Sequence, residues 1–124
     1  MTKTALKFIN NTLESAGINY DFAERKRAVV YPYWVGEYTD LGADNEDGMS
    51  EANFTLDGWT RGEWLDLEND RETIESLFND CTTILENGSG IDISYAGAQI
   101  IPTGDAELKR MQINLTIKEW KVTV

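Results

Sequence analysis

No histidine occurs anywhere in the 124-residue chain, and there is a single cysteine, Cys81. The first absence removes the commonest proton shuttle near neutral pH and the commonest transition-metal ligand. Together the two exclude ordinary Cys/His zinc sites and both Cys–His and Ser–His catalysis. A lone cysteine forms no intrachain disulfide, which fits a reducing compartment. Basic residues are scarce as well, 11 against 22 acidic ones, for a formal net charge of −11. Nucleic-acid binding through a basic patch and attachment to anionic membranes are therefore not expected. The chain holds no apolar run of transmembrane length, and MTKTALKFINNTLESAG lacks the continuous apolar core of a signal peptide, so a cytosolic origin is expected. Neither a P-loop nor a GxGxxG is present; Gly88-Ser89-Gly90 reads as a turn after a helix.

What is present argues for a folded domain. Hydrophobic residues make up 41% of the chain, with four Trp, five Tyr and four Phe, enough for one core spanning 1–124 without metal or disulfide staples. The charge is distributed unevenly. Residues 37–92 carry 16 acidic and 2 basic side chains, whereas the rest of the chain is slightly basic. Such asymmetry implies a dipolar surface, either a solvated acidic face or a partner-binding one.

Ala5, Ile9 and Leu13 recur at helical spacing, so residues 3–16 are expected to form a helix that Gly17 closes. Residues 18–22 read as a short strand or an extended connection. A first strand is expected from about Ala28 to Tyr38, apolar or aromatic on both faces. Pro32 within it removes a ladder donor and marks an edge or a bulge. The loop Thr39–Ser50 is rich in turn formers and long for a hairpin. A calcium loop is rejected, because placing Gly48 at its sixth position puts Ala43 first and Phe54 last, where carboxylates belong. A second, half-buried strand follows over about Glu51–Arg61.

Asn69 and Glu72 have the spacing of a capping box, and Ile74, Leu77, Phe78, Cys81, Ile84 and Leu85 fall on one helical stripe that ends before Gly88. Cys81 on that stripe is read as a buried structural thiol. Residues 91–95 and 98–101, broken near Gly97, pair as a hairpin with a final strand in which Met111, Ile113, Leu115 and Ile117 share one face. The resulting fold class is α+β: an antiparallel β-sheet with two helices packed on one face, in the order α-β-β-α-β-β.

The organising stretch is 29–61, where an aromatic strand, VYPYWVGEY, runs into an acidic loop and then into FTLDGWTR. With a helix and a terminal hairpin after it, this order resembles the small tail-terminator, or tail-completion (head–tail joining), proteins of long-tailed bacteriophages. The resemblance implies a small α/β subunit of a homo-oligomeric ring, expected to be a hexamer, that caps the tail tube and offers a docking surface to the head. Implied partners are further copies of the chain, the tail-tube protein and head connector proteins, with DNA passing through without specific binding and no membrane. Implied locations are the virion tail and, during assembly, the host cytoplasm. No catalytic motif, cofactor or metal carries over, so an enzyme is not expected. The candidate interface comprises Tyr33, Trp34, Glu37, Asp40, Asp44, Glu46, Asp47, Trp59 and Arg61, with the aromatics as anchors and the loop as a charged contact.

Three alternatives share these features: another neck or tail-completion component, an acidic mimic of DNA that inhibits a nucleic-acid-binding enzyme, and a generic α+β binding domain. The basic terminal strand, with Lys109, Arg110, Lys118 and Lys121, weighs against a uniformly acidic mimic.

Overall fold

A computed structural model describes residues 1–24, 30–42 and 48–121. Thr2 opens helix α1 (Lys3–Ser15), its hydroxyl accepting from the Ala5 N–H at 3.1 Å. Ala5, Ile9 and Leu13 are buried, and Gly17 closes the helix at φ +80°. Strand β1 (Tyr20–Phe22) runs parallel to β2 (Tyr33–Asp40), which is antiparallel to β3 (Met49–Thr60). Helix α2 spans Trp64–Phe78, and β4 (Cys81–Ile84), β5 (Gly90–Ile101) and β6 (Lys109–Trp120) complete the chain. The six strands form one sheet in the order β1-β2-β3-β6-β5-β4.

The α+β class holds, but the order is α-β-β-β-α-β-β-β among the described residues, and the sheet is mixed at its β1 end. One parity of each long strand is buried: Trp34, Phe54, Leu56, Met111, Ile113, Leu115, Ile117, Ile91 and Ile93. These form a single core with Ala5, Ile9 and Leu13 of α1 and Leu67, Ile74 and Phe78 of α2. The opposite parity faces away from the helices.

Two boundaries differ from expectation. Helix α2 begins at Trp64, six residues before the expected start near Asp70. The Glu63 N–H donates to Asp66 Oδ2 at 3.1 Å, so this pair satisfies the N-terminus and Asn69 and Glu72 lie inside the helix. The helix stops at Phe78, where Asn79 leaves helical geometry and Asp80 takes φ +58°. Cys81 and Ile84 therefore belong to a strand paired with Ile93 and Gly90 of β5. The β-branched Thr82, Thr83 and Ile84 suit that ladder better than another helical turn.

Strand β2 also starts later than expected, at Tyr33, immediately after a cis Tyr31–Pro32 bond; residues 28 and 29 lie outside the described residues. Pro32 thus precedes the ladder instead of interrupting it. Strand β5 is continuous, with a bulge between Tyr95 and Gly97 where a break was expected.

Gly36 and Gly58 shape the core beneath β2 and β3. A Cβ at Gly58 would stand 2.6 Å from the Trp34 ring, and one at Gly36 would stand 2.7 Å from the Tyr20 ring. Each glycine makes the space in which a large aromatic lies flat on the sheet.

Candidate functional site

The expected interface residues do not gather into one patch. Trp34 is fully buried beneath α2, and its Nε1–H donates to Asp70 Oδ2 at 2.8 Å. It is a core residue, which corrects its assignment as a surface anchor. The cause is its parity: Trp34 shares the helix-facing side of the sheet with Gly58 and Met111, while Tyr33 points the other way.

Tyr33, Glu37 and Trp59 lie on the sheet face turned away from the helices. Tyr33 and Trp59, directly opposite in register, stack with centroids 5.2 Å apart at 20°. Tyr31 extends the row at 5.6 Å from Tyr33. Arg110 of β6 lies over the Trp59 ring at 5.2 Å and bonds Asp57 Oδ1 through Nη2 at 2.9 Å. Gln112 reaches the same oxygen at 3.4 Å. A band of aromatic, cationic and carboxylate groups therefore crosses β2, β3 and β6. Asp57 within it is only 7% exposed, and Arg110 matches its charge.

The other expected residues are separate. Asp40, at the far end of β2, accepts from the Gly42 N–H at 2.9 Å and lies 3.8 Å from the N-terminal ammonium. Arg61 pairs with Asp105 at 3.3 Å beside the β5–β6 turn, both half-exposed. Asp105 is held below the usual carboxylate range by the Glu107 N–H and then by Arg61. Asp44, Glu46 and Asp47 lie outside the described residues, with the rest of 43–47.

A second surface was not foreseen. Trp64, Leu65 and Ile100 are exposed and apolar at the N-terminus of α2 and the end of β5. A groove of about 360 Å³ there is lined by Trp64, Pro102 and Leu108. A second groove, of about 380 Å³, runs between α2 and β5 over Met111, between Glu68 and Arg71 on one side and Tyr95 and Ile100 on the other. Arg71 bonds Glu68 and Glu75, each at 2.9 Å, and contacts the Tyr95 hydroxyl at 3.4 Å. The sequence signal for this surface was Trp64-Leu65 and Ile100-Ile101 at element ends, positions that periodicity alone does not assign to a face.

Burial pushes the Cys81 thiol up, with Asp92 adding to the effect, so the reactive thiolate is disfavoured. The Tyr20 hydroxyl is likewise driven up by burial. Among the described residues no group of three or more His, Cys, Asp or Glu side chains is placed to hold a metal ion. No helix among them is long and apolar enough to cross a membrane. What the arrangement offers is an aromatic–guanidinium band on one face of the sheet and grooves beside α2.

No family model matches the sequence, and no curated protein matches it. The fold is shared with a chain of the virion of a native gene transfer agent particle. That chain superposes with a TM-score of 0.69 at 9% identity, over 89% of this chain and 84% of the other.

Proposed function

We propose that this chain is a structural subunit of a tailed-phage-like virion, and within it a tail terminator. The observation that carries this reading is the fold shared with a virion chain over nearly the whole length of both molecules. The order of elements around VYPYWVGEY and FTLDGWTR supports the finer assignment. In this reading copies of the chain form a ring, expected to be a hexamer, that caps the tail tube and presents a docking surface to the head connector. DNA passes through the ring, and a surplus of carboxylates limits its adhesion. The chain binds and positions, without catalysis or cofactor.

The test is to express the particle genes with and without this chain and to image the products by electron microscopy. The expected result is tails of unregulated length, or heads and tails that do not join, when the chain is absent, with rings at tube ends when it is restored. Particles of normal length and joining without the chain would refute the reading.

A further inference from the structure

Lysines are few on this surface, and two of them share one helix face. Among the described residues the exposed cations are Lys3, Lys7, Arg61 and Lys121, and Arg61 is already paired with Asp105. Lys3 and Lys7 stand about one turn apart on α1. A groove of about 140 Å³ lies between that helix and the end of β4, lined by Lys7, Phe8, Ile84 and Glu86. Ile84 is 75% exposed there. Glu86 reaches Lys7 only at 3.6 Å, with both side chains largely in solvent, so it leaves most of the lysine's charge available. This corner is apolar and basic.

The opposite chemistry lies along α2 and the end of β5. Leu65, Glu68 and Glu72 fall at i, i+3 and i+7, on one stripe of α2. Leu65 is 70% exposed, and Glu72 is exposed as well. Glu68 and the 60% exposed Ile100 both line the groove over Met111. Arg71 is shared between Glu68 and Glu75, so the stripe stays net negative. This surface is apolar and acidic.

One chain cannot join the two patches within itself. Ile84 pairs with Gly90, and Ile100 lies ten residues further along β5, roughly 33 Å away. Nor do like patches suit each other. A two-fold contact through α2 would set Glu68 and Glu72 against the same residues of the other copy, and like charges facing each other are costly.

We propose that the corner formed by Lys3, Lys7 and Ile84 of one copy docks on Leu65, Glu68, Glu72 and Ile100 of the next. The exposed aliphatic side chains supply the buried area, and the opposite charges fix the register. Each pairing leaves one patch open on either copy, so the contact is head-to-tail and propagates, as a ring requires. This inference rests on the ring reading above and identifies its subunit contact.

The experiment co-expresses two full-length variants in a Cys81→Ser background, one with Ile84→Cys and one with Ile100→Cys, each shown by circular dichroism to be folded. A short bis-maleimide is expected to give cross-linked dimers from the pair and none from either variant alone. In parallel, Lys3→Glu with Lys7→Glu is expected to lower the oligomer mass in light scattering toward that of a single chain. Glu68→Lys with Glu72→Lys should do the same, and combining all four substitutions should restore the parent mass. Cross-links within one variant alone would overturn this contact while leaving the ring reading intact. So would an oligomer that charge reversal leaves unchanged, or one that the folded combined variant fails to restore. A parent chain that stays monomeric and is absent from particles would overturn both.

Discussion

The Trp34 indole N–H and Asp70 Oδ2 stand 2.8 Å apart, joining β2 to α2 through a partly buried hydrogen bond. This bond makes Trp34 structural. Truncation to alanine removes a fully buried indole and is expected to cost about 3–5 kcal/mol. Trp34→Phe fills most of the space but leaves Asp70 without its donor, at about 1–3 kcal/mol. Urea denaturation of the two variants checks the order. Trp34→Phe as stable as the parent would mean that the hydrogen bond contributes nothing, and equal losses in the two variants would mean that the volume of the ring contributes nothing.

Asp70 itself behaves in the opposite sense. Burial raises its pKa above the ordinary value, and the Trp34 bond opposes that only in part. A carboxyl whose folded pKa is raised stabilises the fold below its unfolded pKa, and that contribution is lost as pH rises through the folded value. At neutral pH the half-buried charge is therefore a cost. Asp70→Asn keeps an acceptor for Trp34 and is expected to be at least as stable as the parent at pH 7. Its relative advantage should shrink as pH falls toward 4. Thermal melts across that range test the sign, and a variant less stable at pH 7 than at pH 4, relative to the parent, would contradict it.

Gly58 lies against the same indole. With a Cβ only 2.6 Å from a fully buried ring, Gly58→Ala is expected to destabilise by about 1–3 kcal/mol. Gly90 is the control, since its added Cβ would meet Trp120 at 3.9 Å, an ordinary contact. Gly90→Ala should be close to neutral. Equal losses at the two positions would attribute the effect to strand glycines in general and not to the Trp34 pocket.

How much of this was legible depends on how many readings each segment satisfied. Strand β6 was read directly, because Met111, Ile113, Leu115 and Ile117 are buried and the residues between them are not. A strand with one wet face has a single solution. Residues 74–85 satisfied two. Ile74, Leu77, Phe78, Cys81, Ile84 and Leu85 fit a helical stripe, and only the turn-forming Asn79-Asp80 pair and the run of threonines mark the switch to β4. In β2 both parities are aromatic, so local pattern leaves the face of Trp34 undecided. Its direction follows from Gly58 across the ladder, a relation that appears only once the register is known. The aromatic band is half visible for the same reason: the sequence points to Tyr33 and Trp59, but Arg110, Asp57 and Gln112 join them only through pairing with β6.

Within that band, Arg110 and Asp57 are expected to be coupled. Asp57 is nearly buried and takes hydrogen bonds from Arg110 at 2.9 Å and Gln112 at 3.4 Å. Removing the guanidinium strands a carboxylate in a largely dry position, and also uncovers the face of Trp59. Arg110 keeps about a third of its side chain in solvent, so the penalty is set below that of a fully buried pair, at about 2 kcal/mol for Arg110→Ala. Asp57→Asn removes the unpaired charge, so the double variant should recover about half of that loss. A double-mutant cycle read by chemical denaturation measures the coupling directly. Strict additivity would show that the pair is only a surface contact, and that the stack of Tyr33 on Trp59 stands without it.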